Sequence, residues 1–475
     1  MNILFASSEA SPFAKVGGLG DVVGSLPVAL RALGHDARLV MPKYKVIPRE
    51  YADRFEYVTN FTVMIGIARK YVGVFRYIHR GVPVYFLDNE EYFGGSVYGY
   101  EGEAESERMV FFCRAVIEAL PYLDFKPDLI HVNDWQTALI PVLLKKQYPD
   151  LPIKTLLTIH NLRYRGIFGI EQLKALTGLP DDVFTVDGME FYGGASLLKG
   201  GIVFADAVNT VSPKYAEETL TPEYGEQLEG ILRCRGTDYC GILNGIDYDL
   251  FNPRLDPKIP AHYSMRDLTG KAACKAALAE ELGLDGRRMF ITVISRLVDQ
   301  KGLDILAECA EGLLQDPRCA MIVLGTGDPK YEGIFADLAY RYPESMRTIL
   351  RFDGDLAQRL YAGSDLLLVP SRFEPCGLTQ LIAMKYGTLP LVRETGGLYD
   401  SVKPYNELDG SGYGFTFAPY SAHDLGFTVN RAIELYSSDR ELWNKLARRA
   451  MRQDYSWKHS AELYANLYAD ICARA

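Results

Sequence analysis

Hydrophobic and polar positions alternate along this chain in a regular plan. Short runs of consecutive apolar, largely β-branched residues are separated by longer segments with helical spacing of apolar positions. This alternation is typical of parallel sheets covered by helices on both faces. The runs of the first half are 3–6, 37–41, 82–87, 129–132, 155–159 and 207–211. Those of the second half are 290–294, 321–324, 365–369 and 389–392.

The runs predict two α/β domains, each built on a doubly wound parallel sheet. A chain of 475 residues exceeds one ordinary core, and two large domains suit its length. A turn signal at 244–247 precedes a proline-rich stretch at 251–263 that is typical of a linker. We therefore expect an N-terminal domain at 1–245, a C-terminal domain at 246–456, and an amphipathic helix at 457–475 that can pack on either domain, including back on the first.

One segment, 93–107, is rich in Gly, Tyr and Glu and predicts a long loop. Such a loop is either a solvated surface excursion or a mobile lid on the acceptor side of a site, because long loops in compact domains are often functional.

Composition narrows the class of protein. The formal net charge of −10 argues against nucleic acid or an anionic membrane as partner, while leaving room for a small basic site. No stretch reaches the roughly 20 apolar residues that a bilayer span needs, and the first residues form a strand-like run instead of a basic leader. We expect a cytoplasmic protein. Its eight cysteines have no metal-binding spacing and are expected to be mostly reduced core residues.

The first motif that carries chemistry follows the opening strand. Lys15, Gly17, Gly18 and Asp21 precede a helical pattern at 22–33. Paired glycines let backbone N–H groups approach a phosphate, a helix N-terminus favours an anion, and Lys15 adds a positive charge. A structural turn explains this motif equally well, since the spacing matches neither a P-loop nor a dinucleotide fingerprint.

A second glycine turn, Thr395-Gly396-Gly397, follows a strand of the second half. Together, the two turns would face each other across a cleft at the carboxyl ends of both sheets, where open α/β folds bind ligands.

Two cations follow the run 290–294. Arg296 can grip phosphate bidentately, and Lys301 adds a flexible ammonium five residues later, which suits a diphosphate leaving group without a metal. Each cation at about 4 Å contributes roughly 4 kcal/mol at an effective dielectric near 20, so two can replace much of the effect of Mg²⁺. A solvated charged loop is the alternative.

An acidic motif follows the run 365–369. Glu374 precedes a proline and then Cys376, Gly377 and Leu378, which open a helical pattern. The geometry suits recognition of sugar hydroxyls by Glu374 and of ribose or phosphate by the N–H groups at the helix start. Alternatively, Glu374 is only a charge at a helix N-terminus.

Polar residues also end two strands of the first half. His131, Asp134, His160 and Asn161 can bind sugar hydroxyls at a cleft edge. A zinc site made by His131, Asp134 and His160 is conceivable. We expect no metal, because the sequence fixes no ligand geometry and the cations already supply positive charge.

Taken in order, these motifs resemble those of bacterial glycogen synthases and plant starch synthases over essentially the whole chain, although Val16 replaces the commoner Thr of the first motif. The resemblance implies the GT-B architecture, with two Rossmann-like domains facing a deep cleft, and no cofactor. It also implies transfer of glucose from ADP-glucose to the non-reducing end of an α-1,4-glucan, with retention of configuration.

The resemblance also implies roles for individual residues. Lys15, Arg296 and Lys301 would hold the diphosphate, Glu374 would orient the glucosyl group, and His160 would lie by the anomeric centre. Backbone groups of both glycine turns would assist the cations. Weaker candidates for sugar or acceptor contacts are Asp21, Asp134, Asn161 and Asn244. Phe352 either stacks on adenine or belongs to the core.

Three other functions stay open. A glucan phosphorylase shares the two-domain plan but needs a pyridoxal phosphate lysine, which absorbance would reveal. A non-catalytic glucan-binding protein has no need for both cations and Glu374. A sugar-nucleotide epimerase would act on the donor without an acceptor.

Overall fold

The computed structural model describes residues 1–99 and 102–474. The chain forms two compact units. The first unit combines Met1–Asn244 with the C-terminal segment that begins at Trp457, and the second is Gly245–Ser456. Residues 247–268, at the start of the second unit, contain no helix or strand.

The first unit is built on a nine-stranded sheet, in the order β12-β11-β7-β6-β1-β2-β5-β4-β3, and on a small three-stranded sheet, in the order β8-β10-β9. The strands are β1 Asn2–Ala6, β2 Asp36–Pro42, β3 Glu56–Ile65, β4 Ala68–His79, β5 Val82–Asp88, β6 Leu129–Asn133, β7 Lys154–Ile159, β8 Ile167–Phe168, β9 Glu190–Phe191, β10 Gly194–Ser196, β11 Ala207–Thr210 and β12 Tyr239–Gly241. The helices are α1 Gly18–Ala32, α2 Arg49–Ala52, α3 Glu90–Phe93, α4 Gly102–Ala119, α5 Asp134–Thr137, α6 Leu139–Gln147, α7 Ile170–Thr177, α8 Leu197–Phe204, α9 Pro213–Glu218 and α10 Glu229–Cys234.

The second unit has a six-stranded, all-parallel sheet in the order β15-β14-β13-β16-β17-β18. Numbered within the unit, this order is 3-2-1-4-5-6, that of a doubly wound dinucleotide-binding fold. The strands are β13 Met289–Ile294, β14 Cys319–Leu324, β15 Met346–Ile349, β16 Leu366–Val369, β17 Leu389–Arg393 and β18 Phe415–Phe417. The helices are α11 Thr269–Leu282, α12 Leu303–Leu314, α13 Pro329–Arg341, α14 Gly354–Gly363, α15 Thr379–Lys385, α16 Gly396–Ser401, α17 Ala422–Ser438 and α18 Arg440–Arg452.

Each of the ten apolar runs is a strand, and no strand end differs from its prediction by more than two residues. These strands are buried on both faces, which is why they appear as continuous apolar runs. The prediction of a loop at 93–107 is wrong at its end, because α4 begins at Gly102. Positions 100 and 101 of that prediction lie outside the described residues.

The C-terminal helix, Trp457–Ala473, packs in the first unit through a buried chain of hydrogen bonds. The Tyr468 hydroxyl lies 2.8 Å from Nδ1 of His131, and Nε2 of that ring lies 2.5 Å from the Thr158 hydroxyl. Thr158 donates to Asn209 Oδ1 at 2.6 Å, and the Asn209 amide donates to the Tyr464 hydroxyl at 3.0 Å. The last helix therefore completes the hydrogen bonding of buried polar side chains on β6 and β11, which Thr158 of β7 links to each other.

None of the helices among residues 1–99 and 102–474 combines the length and the apolar character needed to cross a membrane.

Candidate functional site

In the second unit, the candidate residues lie at the point where the strand order reverses. β13 and β16 are adjacent, but the chain leaves them toward opposite sides of the sheet. The loop after β13 carries Arg296 and Lys301, and the loop after β16 carries Glu374. Ligands of doubly wound sheets bind at such switch points, beyond the carboxyl ends of the strands.

The structure brings two of these residues into direct contact. Lys301 Nζ lies 2.6 Å from Glu374 Oε2, and the Ser371 hydroxyl donates to the same oxygen at 2.8 Å. The side chains of Lys301 and Glu374 are only 19% and 8% exposed, so the ammonium has a defined position. In contrast, Arg296 is exposed and makes no side-chain hydrogen bond or salt bridge to a described residue.

The Lys301 loop is attached to the Glu374 loop by its backbone. Arg372 N donates to Gln300 O at 2.9 Å, and the Gln300 amide donates to Phe373 O at 3.3 Å. Gly302 has a φ of 70°, and a Cβ there would lie 1.9 Å from Pro370 O. Only glycine therefore lets the two loops approach closely enough for the ion pair to form.

The second glycine turn packs directly on the acidic motif. Gly396 has a φ of 46°, and its Cβ would lie 2.0 Å from Glu374 O. Gly397 N donates to Glu374 O at 3.1 Å and to Pro375 O at 3.2 Å, while Thr395 N donates to Arg393 O. The N–H groups of Thr395 and Gly397 are thus used within the protein, and the turn supports Glu374 instead of offering these two donors to a phosphate.

The remaining residues of the acidic motif are held by one glutamine that sequence reasoning missed. The Gln380 amide is fully buried and donates to Cys376 O at 3.1 Å and to Gly377 O at 3.0 Å. Cys376 is buried, whereas Leu378 is half-buried and directly precedes α15. Gly377 has a φ of 70°, which glycine adopts without strain.

Phe352 follows β15 and is 88% exposed. The alternative that placed it in the core is wrong. Its open ring face is free to stack on a planar ligand, and this role remains a prediction.

In the first unit, the loop after β1 is organised by Glu9, a residue that sequence reasoning missed. Glu9 is 3% exposed, and its Oε2 accepts hydrogen bonds from Val16 N at 2.6 Å and Gly17 N at 2.9 Å. Its Oε1 accepts from the Tyr98 hydroxyl at 2.5 Å. The Gly17 N–H predicted to hold a phosphate therefore already binds a carboxylate of the protein.

Lys15 of this loop forms an ion pair with Asp21 in the first turn of α1. Lys15 Nζ lies 2.7 Å from Asp21 Oδ1, and both side chains are partly exposed. Gly18 begins α1, which has no side-chain cap, so the first N–H groups of the helix are not occupied by a capping side chain. Lys15 and the start of α1 therefore still have the features of an anion site, whereas the Gly17 N–H is already bonded to Glu9.

Asp134 and His160 come together at the ends of β6 and β7. Asp134 Oδ1 accepts hydrogen bonds from His160 N at 2.7 Å and Asn161 N at 3.4 Å. Asp134 has a φ of 54°, and burial raises the pKa of its carboxyl to about 7. Asn161 Oδ1 accepts from Arg163 N. Asp134 thus fixes the position of the backbone at His160 and Asn161.

The His160 ring is neutral at physiological pH, because burial lowers its pKa to about 3. Its Nε2 lies 2.9 Å from Asn133 Oδ1. The Asn133 amide nitrogen donates to Ala6 O and His131 O, so its oxygen must accept, and Nε2 of His160 must carry the proton. Asn133 thereby sets the tautomer of His160.

The conceivable zinc site at His131, Asp134 and His160 does not match these contacts. Both ring nitrogens of His131 are hydrogen-bonded within the core, and His160 Nε2 is bound to Asn133. No group of three or more potential metal ligands occurs in the part of the chain that the structure describes. Asn244, the last residue of the first segment, is buried, and its Oδ1 has no hydrogen-bond partner among the residues that the structure describes.

Comparisons with known proteins cover the whole chain. Residues 2–234 match the family described as starch synthase catalytic domain, and residues 275–452 match glycosyl transferases group 1. The glycogen synthase of Clostridium acetobutylicum is 47% identical over 99% of this chain and 100% of its own length. That of Geobacillus stearothermophilus is 45% identical over 99% of this chain and 98% of its own.

Two solved structures are similar to this one. The catalytic domain of starch synthase IV from Arabidopsis thaliana, bound to ADP and acarbose, is 34% identical and superposes with a TM-score of 0.93, covering 100% of this chain and 99% of that one. Sucrose-phosphate synthase from Thermosynechococcus elongatus, at 18% identity and a TM-score of 0.64 over 100% of both chains, shares the fold alone.

Proposed function

Because the chain belongs to the glycogen and starch synthase family, we propose that it transfers glucose from ADP-glucose to the non-reducing end of an α-1,4-glucan, with retention of configuration. Its two α/β units have the GT-B architecture of this family, as expected from the sequence. The enzyme is a hexosyltransferase. The preference for an adenine nucleotide is supported by the plant relative, which binds ADP.

The observation that carries this proposal is the ion pair of Lys301 and Glu374 at the switch point of the second sheet. We assign Lys301 and Arg296 to the diphosphate and Glu374 to the hydroxyls of the glucosyl group. A diphosphate that arrives beside Lys301 meets an ammonium already fixed in position, so little reorganisation is needed when negative charge develops. Phe352 stacks on the base in this assignment.

We assign the acceptor glucan to the first unit and the nucleotide to the second. His160 contacts the sugar near the anomeric carbon as a neutral ring and through its backbone carbonyl, because its depressed pKa prevents it from serving as a cationic acid. Lys15 completes the charge around the diphosphate, while Asp21, Asn161 and Asn244 are candidates for contacts with sugar hydroxyls. Glu9 and Asp134 shape the loops.

In the proposed step, the bond between the anomeric carbon and the diphosphate oxygen breaks, and a bond to the acceptor 4-hydroxyl oxygen forms on the same face. The departing phosphate oxygen takes the acceptor proton, so no protein base is needed. The cations stabilise the leaving diphosphate, whose charge increases most as the bond breaks.

We also propose a cytoplasmic location. All eight cysteines are free, which is typical of a reducing compartment.

The test is release of nucleoside diphosphate by purified protein given ADP-glucose or UDP-glucose, with and without glycogen, in the presence of EDTA. We expect release of ADP that depends on glycogen and resists EDTA. Faster release of UDP would overturn the donor assignment. Release from neither donor would overturn the synthase function and leave a phosphorylase or a non-catalytic glucan-binding protein.

A further inference from the structure

A broad basic cavity lies at the amino-terminal edge of the second sheet. It has a volume of about 1280 Å³ and extends between α11 and α18. In a parallel sheet all strands begin at the same end of the sheet. This cavity therefore lies at the end opposite the loops that carry Arg296 and Glu374. Lining residues that closely precede strands are Arg288, Arg318, Asp365 and Gly387.

The lining is strongly cationic. Seven basic side chains face three carboxylates: Lys271, Lys275, Arg287, Arg288, Arg318, Arg440 and Arg448 against Asp267, Asp285 and Asp365. The whole protein has a net charge of −10, so the sign of this cavity is opposite to that of the molecule. Such a local reversal concentrates small anions and leaves long polyanions repelled by the remaining surface.

Three of the seven cations are already neutralised by carboxylates of the protein. Lys275 pairs with Asp365 at 2.7 Å, Arg287 with Asp285 at 2.8 Å, and Arg318 with Asp316 at 2.7 Å. The other four form no salt bridge with a described residue: Lys271, Arg288, Arg440 and Arg448. However, Arg448 lies near enough to Asp267 to help lower the pKa of that carboxyl.

Arg440 lies in a cluster that has more cationic side chains than carboxylates. Its guanidinium lies 3.6 Å from the ring centroid of Tyr436, whose hydroxyl is 2.5 Å from Lys275 Nζ. Asp365, the carboxylate of this cluster, also accepts a hydrogen bond from Phe290 N at 2.8 Å. Arg440 is moreover the first residue of α18, where a cation opposes the helix dipole. Helix stability therefore does not explain an arginine here.

Lys271 is held by neutral acceptors alone. Its Nζ lies 2.8 Å from the Thr388 hydroxyl and 3.0 Å from Ala362 O. Burial lowers the pKa of this ammonium to about 7. Asp365 interacts with this ammonium only at a distance, and a bound anion would supply a countercharge in direct contact.

We propose that this cavity is a second anion site, which binds a small metabolite carrying two phosphoryl groups, with Arg440 and Arg448 among its ligands. A phosphoryl group carries a charge of about −1.5 to −2 at neutral pH, so two of them match the excess of basic over acidic side chains in the lining. The planar guanidinium fork suits phosphate oxygens. The site does not depend on the proposed glucosyl transfer.

The test uses inorganic pyrophosphate as the probe and isothermal calorimetry as the readout. To remove the donor site, binding is measured in the full-length protein with Arg296→Ala and Lys301→Ala. The cavity is then altered by Arg440→Gln with Arg448→Gln. The matched control, Lys445→Gln with Arg452→Gln, removes the same charge from the same helix outside the cavity.

We expect pyrophosphate to bind the donor-site variant, and the cavity substitutions to weaken this binding about 10-fold or more. The control should change it by less than about 2-fold. Two cations at close range justify the difference, since each contributes far more than a screened distant charge. Arg440→Gln alone, at an exposed position, should give an intermediate loss, and thermal unfolding checks that each variant is folded.

Three results would overturn the proposal: no binding in the donor-site variant, no more weakening by the cavity substitutions than by the control, or citrate binding as tightly as pyrophosphate, which would exclude selection for phosphoryl groups. Turnover of ADP-glucose with Arg440→Gln and Arg448→Gln alone should stay within about 2-fold of the parent. Failure of the synthase assay leaves the calorimetric result unaffected, so the two proposals fail separately.

Discussion

Single residues of the candidate site are paired with each other before a substrate arrives. Lys301 is held by Glu374, Lys15 by Asp21, and the Gly17 N–H by Glu9. These pairs fix the positions of the charges, and in the proposed reaction a diphosphate would compete for cations that are already oriented. Arg296, which has no such partner among the described residues, is the cation most able to move toward a ligand.

Removing either leaving-group cation should lower kcat by about 10² or more, the scale of losing one preorganised donor to a developing charge. The variants are Arg296→Ala and Lys301→Ala, assayed by ADP release at saturating ADP-glucose. Arg431→Ala, which breaks a surface pair with Glu407 in the same unit, is the control and should change little. Near-normal turnover in either site variant would contradict the leaving-group role.

The protonation of Asp134 should appear in the pH dependence of stability. Its pKa rises from 3.8 in the unfolded chain to about 7 in the fold, because burial disfavours the carboxylate. Between pH 4 and 7 the folded protein keeps a proton that the unfolded chain has lost, so this group's contribution to stability falls as pH rises and levels off above 7.

Asp134→Asn keeps the acceptor oxygen, tolerates the positive φ and does not titrate. Relative to the parent, its free energy of unfolding should therefore increase from pH 4 to pH 7 by at least about 1.4 kcal/mol, the equivalent of one pKa unit. Urea unfolding at each pH measures the difference. Asp150→Asn, at an exposed position, controls for loss of a charge. If the free energy of unfolding depended on pH in the same way in both variants, the raised pKa of Asp134 would be contradicted.

At the scale of elements, the site is held together by contacts between loops. These contacts matter more than the strands that the loops follow. Gly302 brings the loop after β13 against the loop after β16, and Gly396 brings the turn after β17 against the same loop. The loops at the carboxyl ends of three neighbouring strands, β13, β16 and β17, thus form one connected surface, with Glu374 at its centre.

Gly302→Ala should lower kcat by about 10² or more, because its Cβ would overlap Pro370 O and displace Lys301 from Glu374. Gly312→Ala is the matched control: it lies in α12, which follows this loop, and its Cβ would meet no atom within 4 Å. Alanine in a helix interior should raise stability slightly. Steady-state kinetics and thermal unfolding separate the two effects, and equal activity in both variants would refute the steric argument.

The sequence predicted the strands of both sheets well where burial on two faces makes them continuous apolar runs. It missed the hairpin of β3 and β4, because these strands, the last two at one side of the sheet, mix exposed and buried positions. It found Arg296, Lys301 and Glu374 from their place after strands. Glu9 and Gln380 were not predicted. Each forms hydrogen bonds to backbone groups, and no residue pattern in the sequence indicates such contacts.

At the scale of the whole molecule, the two units differ in how the chain builds them. The second unit is continuous in sequence, whereas the first uses both ends of the chain. The C-terminal helix supplies Tyr464 and Tyr468 to Asn209 and His131, which are fully buried. Without this helix, polar groups in the centre of the first sheet would lack partners.

A fragment of residues 245–456 should therefore unfold cooperatively on its own, while a fragment of residues 1–244 should not. A buried polar group without its partner costs about 1–3 kcal/mol, and two are involved in addition to the lost apolar packing. Circular dichroism during thermal unfolding is the measurement. Adding a peptide of residues 457–475 should restore a cooperative transition to the first fragment; cooperative unfolding without the peptide would contradict the role given to the helix.

The discontinuity of the first unit also bears on how the protein is made. Domains usually fold in the order in which they leave the ribosome, the N-terminal one first. Here the N-terminal unit cannot finish folding until the helix that begins at Trp457 has been made, and by then all of the second unit has already been synthesised. The nascent chain must hold an unfinished sheet while the second unit is made, and a chain truncated before Trp457 would keep an intact second unit but lack the helix that completes the first.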